Sequence, residues 1–361
     1  MWKSYADLLV NYSLYLKKGE HLYIRSTTLA EPLISEVYKA AIKVGAHVSV
    51  QMDFFEQHEN FMLNASDEQL TEVPLFHKQA IETCDAYLYI KAPFLESSIS
   101  ISSDKRRIRQ EALKEINQVY FERTASGSMK RSLCQFPTEV DAKRAGLTLE
   151  QFSNFVFKAC GLKENNPVSY WKEVSKKQQK YVDFLNSKKT IRYKNKNSDI
   201  SFSVLGRTWI NSDGKTNMPS GEVFSSPVED TVQGKIYFDY PTVYMGKEME
   251  GITLEVKNGE VVSWNAKKGQ EHMDQLLKTP GARFFGEVAI GTNYNIQRAT
   301  KNILFDEKIG GTIHMALGQS YGQTGGKNQS SIHWDMICDM KNDAEILADE
   351  QVFYRNGQWL I

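Results

Sequence analysis

Near residues 188–198 the pattern of the sequence changes, from alternating strands and helices to strands joined by tight turns. Before this point, the apolar runs 21–25 and 48–52 are typical of strands. Between them, Pro32 opens and Gly45 closes a run with helical spacing. Strand, helix and strand with short connections predict a parallel crossover unit. The first half is therefore predicted to be α/β, with a mostly parallel sheet.

Further helices in this half are marked by two capping boxes. The pairs are Ser66 with Gln69, and Thr148 with Gln151. In such a box, the side chain of the first residue accepts a hydrogen bond from the backbone N–H of the fourth, and the side chain of the fourth accepts one from the backbone N–H of the first. The remaining apolar periodicity predicts a strand at 86–90 and helices at 4–16, 104–116 and 168–187.

The second half is predicted to be α+β with mainly antiparallel strands. Asn258-Gly259 and Asn356-Gly357 are flanked by β-prone runs, and such dipeptides suit two-residue hairpin turns, as does Asp213-Gly214. One helix is predicted near 268–278. At 361 residues the chain exceeds the usual size of a single core. We therefore expect two domains, an α/β domain at 1–190 and a metal-binding catalytic domain at 191–361.

Composition excludes several classes of partner. Lys+Arg and Asp+Glu both number 44, so no overall charge draws the chain to nucleic acid or to an anionic membrane. No stretch has the ~18 consecutive apolar residues that a membrane span requires. The four cysteines lie far apart without a CxxC pair, which fits a reducing compartment. With no targeting segment at the N-terminus, we expect a cytoplasmic protein.

Residues that suit a metal site concentrate in the second half. His333 and Asp335 stand two residues apart in an apolar run, so on a strand their side chains share one face. Glu222 and Glu287 each follow a glycine and precede an apolar pair, an unusual position for a surface glutamate. Imidazole and carboxylate together favour zinc, cobalt or manganese over calcium or magnesium. The candidate ligands are Glu222, Glu287, His314, Tyr321, His333 and Asp335.

Taken singly, these residues also have structural interpretations. The two glutamates suit turn caps or partners for Arg207 and Arg283. His314 lies beside apolar neighbours, as a buried core histidine would, and Tyr321 fits a core or interface position. The metal hypothesis therefore depends on all six side chains meeting in the folded chain.

One segment carries a family resemblance. The stretch 213–227, which ends in Gly221-Glu222-Val223-Phe224-Ser225-Ser226-Pro227, resembles the signature of the aminopeptidase T and aminopeptidase S family of metallopeptidases. The opening residues 5–10, the triad 136–138 and the segment 155–160 are similar to family segments at the same places. The resemblance covers nearly the whole chain.

The resemblance implies an exopeptidase that removes N-terminal residues from short peptides with a free N-terminus. It implies two divalent ions per subunit (zinc, cobalt or manganese) that activate a water, and a homodimer. Carried over position by position, all six candidate ligands match the family pattern. Among them, we expect Glu287 to bridge the ions, and Tyr321 to ligate weakly or to stabilise the developing oxyanion.

Three alternatives belong to other classes. The same donor set suits a metallohydrolase acting on another amide or ester. A two-domain binding protein with a structural metal is a second alternative, although structural zinc sites commonly use cysteine. A nucleotide-binding oxidoreductase is a third, and the turn after the first strand, residues 26–31, lacks the glycine fingerprint such a domain needs.

Overall fold

The computed structural model describes residues 1–95 and 100–361, and the chain divides into two compact units. The first unit comprises Met1–Val168 with Gly214–Pro219, and the second comprises Ser169–Asp213 with Ser220–Ile361. The sequence-based division near residue 190 stays a prediction about domains. Among the described helices, none combines the length and apolarity needed to cross a bilayer.

Strands and helices alternate in the N-terminal part of the chain. The strands are β1 (His21–Thr27), β2 (His47–Asp53), β3 (Ala86–Lys91) and β4 (Lys130–Gln135). The helices are α1 (Trp2–Leu8), α2 (Glu31–Lys43), α3 (Gln57–Asn64), α4 (Asp67–Thr71), α5 (Leu75–Thr83), α6 (Ser103–Ala112), α7 (Lys114–Ala125), α8 (Glu139–Arg144), α9 (Leu149–Ala159) and α10 (Pro167–Asn186).

Strands dominate the C-terminal part. They are β5 (Thr190–Lys194), β6 (Asp199–Ser203), β7 (Ile210–Ser212), β8 (Asn217–Met218), β9 (Glu222–Ser225), β10 (Gln233–Phe238), β11 (Thr242–Tyr244), β12 (Lys247–Met249), β13 (Ile252–Lys257), β14 (Glu260–Asn265), β15 (Phe285–Gly291), β16 (Thr312–Gly318), β17 (His333–Asp339), β18 (Glu345–Ala348), β19 (Gln351–Arg355) and β20 (Gln358–Trp359). Two short helices interrupt them, α11 (Gln270–Leu276) and α12 (Ile303–Asp306).

The first unit is built on a parallel sheet with strand order β2-β1-β3-β4-β8. Both capping boxes form as predicted, at the starts of α4 and α9. Two helix predictions need correction. The helix expected at 4–16 leaves α-geometry after Leu8 and continues as a π-helical segment, Leu9–Ser13. The helix expected at 104–116 is divided at Leu113 into α6 and α7.

The second unit contains an eight-stranded antiparallel sheet, order β14-β13-β10-β6-β5-β18-β19-β20, and a five-stranded antiparallel sheet, order β17-β16-β15-β9-β7. A two-stranded ladder, β11-β12, accompanies them. One apolar cluster takes side chains from both large sheets, for example Ile236 and Leu254 from the first, and Met315 and Trp334 from the second. The predicted fold class, a parallel α/β part followed by a mainly antiparallel part, is confirmed.

Candidate metal centre

Five of the six predicted ligands lie on the five-stranded sheet: Glu222 on β9, Glu287 on β15, His314 on β16, and His333 and Asp335 on β17. Directly opposed residues of antiparallel strands share a face. Ala316 of β16 opposes Glu287 on one side and Asp335 on the other, so the two carboxylates lie on the same face. His314 joins them because it is two residues from Ala316 along the strand. The period of two thus brings separated sequence motifs together.

The opposite face of this sheet belongs to the apolar core. Val288, Met315 and Trp334 alternate with the candidate ligands and are fully buried. Packing on that face fixes the register, because a slip of one residue would turn the ligands into the core. The hydrophobic pattern therefore positions the polar residues as well.

The glycine before each glutamate permits a close approach. A Cβ on Gly286 would lie 2.4 Å from the carbonyl oxygen of Gln319, at the irregularity where the β15–β16 register shifts. A Cβ on Gly221 would lie 2.7 Å from the Cβ of Asn293, and Gly221 has φ of +116°. The repeated Gly-Glu pattern thus places a buried carboxylate directly beside a tightly packed backbone position.

Glu287 lies between the two imidazoles. Its Oε2 is 3.1 Å from Nε2 of His333, and its Oε1 is 3.5 Å from Nε2 of His314. Glu222 approaches His314 from the other side, with Oε2 at 3.6 Å from Nε2. Asp335 Oδ1 is 3.5 Å from Nε2 of His333. Each imidazole therefore faces two carboxylates through the same nitrogen.

The orientation of His333 is set by a backbone contact. Its Nδ1 is 2.8 Å from the carbonyl oxygen of Gln319, which accepts a hydrogen bond from the protonated nitrogen. This contact leaves Nε2 as the nitrogen that could coordinate a cation, as in many metal-bound histidines. Tyr321 stands at the rim, 41% exposed, with its hydroxyl 3.5 Å from the same Nε2. All six predicted residues therefore meet at one place.

Sequence reasoning missed two members of this cluster, Glu307 and Lys308, which follow α12. One ligand atom from each of Glu307, His314 and Asp335 lies within 4.8 Å of the others. Glu287, His333 and Asp335 form a second such triad. Lys308 is fully buried, pairs with Glu307, and lies 3.7 Å from Glu222. In the sequence, the three consecutive charged residues Asp306 to Lys308 are typical of a solvated surface. The one signal that they lie near the site is the apolar strand that follows them.

The cluster carries an excess of buried negative charge. Burial alone would lower the pKa of His333, but Asp335 and Glu287 outweigh burial and raise that pKa to about 12. At His314 burial again lowers the pKa and the carboxylates raise it, and the pKa rises to about 9. Burial raises the pKa of Glu307 to about 8, against the lowering effect of Lys308. The protein surroundings therefore attract positive charge to this point.

These residues fit divalent metal ions. Four carboxylates stand against one lysine in this cluster, and divalent cations would offset the excess negative charge. Glu222 Oε2, Asp335 Oδ1 and His314 Nδ1 are buried and have no hydrogen-bond partner among the described residues. Buried polar atoms normally have partners, so the first two of these atoms are ready ligands. Nitrogen and oxygen donors without cysteine suit a catalytic more than a closed structural site.

The structural interpretations of the two glutamates do not apply. Arg207 pairs with Glu229, and Arg283 pairs with Glu260. Both arginines are thus engaged away from Glu222 and Glu287. The carboxylates face the histidines instead.

The fold and the cluster define a metal-dependent hydrolase. A family model described as Thermophilic metalloprotease (M29) matches residues 1–359, and the chain belongs to this family. Aminopeptidase 2 of Geobacillus stearothermophilus is 26% identical over 408 residues, covering 98% of this chain and 96% of that protein. Aminopeptidase AmpS of Bacillus subtilis (strain 168) is 25% identical over 404 residues, covering 99% and 97%.

A solved structure supports the fold. Wild-type AmpT from Thermus thermophilus matches with a TM-score of 0.86 and 22% sequence identity, over 100% of this chain and 99% of that chain. The predicted family is confirmed, and the family with its aminopeptidase relatives bears out the predicted enzyme class, a metallopeptidase hydrolase.

Proposed function

We propose that this chain is an aminopeptidase that removes the N-terminal residue of short peptides, using two divalent metal ions held on the face of the five-stranded sheet. The observation that carries the proposal is the pair of ligand triads that share Asp335. One triad adds Glu287 and His333, and the other adds Glu307 and His314. Two overlapping triads are what a pair of neighbouring ions requires.

The distances support a ligand role for each residue. Glu287 directs one oxygen at each imidazole, which supports the expected bridging role. Asp335 belongs to both triads and is the second candidate for a bridge. Glu222 approaches His314 from the side opposite Glu287 and would complete the ligand set of the ion at His314. Zinc, cobalt and manganese remain the expected metals, because the donors are imidazoles and carboxylates.

Two ions bound there would polarise the scissile carbonyl and lower the pKa of the attacking water. The ions would also hold the free α-amine of the substrate, which would explain a need for a free N-terminus. Tyr321 is exposed enough to reach the substrate, and its hydroxyl would donate to the developing oxyanion. A glutamate of the cluster that keeps one carboxylate oxygen unligated would take the proton from the water.

The resemblance to the family also supports a homodimer as part of this proposal. The four cysteines are free and buried, which fits the reducing cytoplasm that we propose as the location.

The test combines metal content with turnover. Enzyme stripped by a chelator and dialysed should lose hydrolysis of leucine p-nitroanilide and regain it with zinc, cobalt or manganese. Elemental analysis should find two ions per chain in the wild type and fewer in Glu287→Gln and Glu307→Gln. One ion in the wild type, with no change in Glu307→Gln, would contradict the two-ion arrangement.

A further inference from the structure

A cavity of about 350 Å³ lies within the first unit, and all of its lining residues belong to that unit. Its floor is the parallel sheet, with residues of β1, β2, β3 and β4, and helices α5 and α7 supply Ile81, Ile116 and Tyr120. The volume suits a small organic ligand. The metal centre consists of residues of the second unit alone, so this cavity is a separate candidate site.

The sheet face under the cavity is unusual for a parallel sheet. In register across the central strands, Arg25 stands beside Tyr89, and Tyr87 stands between Tyr23 and Arg131. Central strands of parallel sheets are normally apolar on both faces. The other face obeys that rule, because its residues are buried and aliphatic: Leu22, Ile24, Leu88 and Ile90.

The charged side chains that line the cavity, which form its polar wall, are not fully paired with one another. Arg25 and Asp53 approach to only 3.5 Å, longer than the ~2.7–2.9 Å of a well-formed charge-assisted hydrogen bond. Within residues 1–95 and 100–361, the side chain of Arg131 forms no hydrogen bond or ion pair. Burial, with Arg25 and Arg109, lowers the pKa of His77 to about 4, so this imidazole is neutral at pH 7. The wall thus offers two cations and one anion.

We propose that this cavity binds a free amino acid with an apolar or aromatic side chain. Arg25 receives the α-carboxylate and Asp53 receives the α-ammonium group, so that one loose ion pair is replaced by two. The rings of Tyr87 and Tyr120, which contact each other edge to face, pack with Ile116 against the side chain. The ligand class is the product class of the proposed peptidase, although the binding itself does not depend on that activity.

A phosphate-bearing ligand fits this wall less well. Asp53 would repel a dianion, and the connection from β1 to α2 has no glycine-rich turn. Phosphates also favour helix N-termini, but the first turn of α2 carries Glu31. Inorganic phosphate is therefore the probe for the competing possibility.

The first test is calorimetric titration of the metal-loaded enzyme with L-phenylalanine and L-leucine. N-Acetyl-L-phenylalanine lacks the ammonium group and L-phenylalaninamide lacks the carboxylate, so each should bind at least about 10-fold more weakly. Phosphate should not compete. Equal binding of the two analogues, or displacement by phosphate, would overturn the proposal.

Variants separate this cavity from the metal centre. Arg25→Met should weaken L-phenylalanine binding by roughly 30-fold or more, whereas Arg106→Met, which removes an exposed arginine on α6, should not. Asn117→Trp should also block binding, because this exposed position at the cavity carries little folding risk. Circular dichroism would verify folding. Unchanged binding in both Arg25→Met and Asn117→Trp would overturn the proposal.

Glu287→Gln distinguishes the two proposals of function. This variant should lose peptide hydrolysis yet keep L-phenylalanine binding. If binding disappears with Glu287→Gln, the amino acid occupies the metal centre alone and the cavity proposal fails. If binding persists and the wild type hydrolyses no peptide, only the proposed peptidase function fails.

Discussion

Lys308 is fully buried and is paired with Glu222 and Glu307. Burial alone would lower its pKa, but Glu222 and Glu307 outweigh burial and raise it. A fully buried ammonium is tolerated only when it is paired, and here it offsets part of the charge of the carboxylates. We interpret it as a fixed cation that allows the cluster to remain folded when metal is absent.

This interpretation predicts the effect of Lys308→Met. Removing one partner of a buried pair costs on the order of 3–5 kcal/mol, so the metal-free variant should be much less stable than metal-free wild type. Added zinc should raise its melting temperature more than it raises that of the wild type. Lys268→Met, which removes an exposed lysine paired with Glu248 and Glu250, should have little effect. Equal melting temperatures for metal-free wild type and Lys308→Met would contradict this role.

Tyr321 is expected to act on the substrate more than on the metals. Its hydroxyl is at the rim of the cluster, so Tyr321→Phe should keep the metal content and lower kcat on the order of 100-fold. Tyr237→Phe removes a hydroxyl that contacts Lys267 instead and serves as the control. Unchanged metal content together with unchanged kcat would remove Tyr321 from the mechanism.

His77 gives the first unit a pH dependence. Its pKa is lowered to about 4 by burial, Arg25 and Arg109, against an opposing effect of Asp53. Between pH 4 and the ordinary value of 6.5, the unfolded chain therefore binds more protons at this position than the folded chain does. Folding stability falls as the pH drops through that window. His77→Gln should reduce this loss.

Urea denaturation at pH 7.5 and pH 4.5 measures the effect. The drop in unfolding free energy between the two values should be smaller for His77→Gln than for wild type. His58→Gln is the matched control, because the side chain of His58 forms no hydrogen bond or ion pair among the described residues. The same drop in wild type and His77→Gln would show that His77 is not responsible.

At the scale of single residues, sequence predicted the donors that carry a local pattern. Alternation placed His333 with Asp335, and a preceding glycine distinguished Glu222 and Glu287. Glu307 has neither pattern. Its proximity to His314 arises from the path of the chain after α12, and the periodicity of the sequence does not predict that path.

At the scale of elements, the bulge at Gly286 links backbone geometry to the metal centre. A side chain there would meet the carbonyl oxygens of Gln319 and Gly318 at 2.4 and 2.5 Å. Gly286→Ala should therefore displace β15 against the end of β16, move Glu287, and lower zinc affinity at least ~10-fold. Gly322→Ala is the control, since nothing lies within 4 Å of its added Cβ. Wild-type zinc affinity in Gly286→Ala would contradict this linkage.

Local turn chemistry determined which elements could be predicted. Asn258-Gly259 and Asn356-Gly357 have positive φ at both positions and join β13 to β14 and β19 to β20, as expected. Asp213-Gly214 suits the same turn, yet it connects β7 and β8, which belong to different sheets. Long-range strand pairing decided its role.

At the scale of the whole molecule, each unit has a sheet with two unlike faces. In the five-stranded sheet one face joins the apolar core and the other carries carboxylates and imidazoles. In the parallel sheet one face is aliphatic and the other carries arginines and tyrosines. Sequence predicted the sheets from their apolar residues. The polar faces could not be predicted in this way, because they depend on the order of the strands, which long-range pairing determines.

The metal cluster is proposed to remove N-terminal residues with the help of bound metal. The most direct measurement compares a short leucine-headed peptide with its N-acetylated twin, each incubated with metal-stripped enzyme before and after zinc, cobalt or manganese is added back. The free-amine peptide alone should be cleaved, and only after metal is restored. Equal cleavage of both peptides, or cleavage by the stripped enzyme, would contradict it.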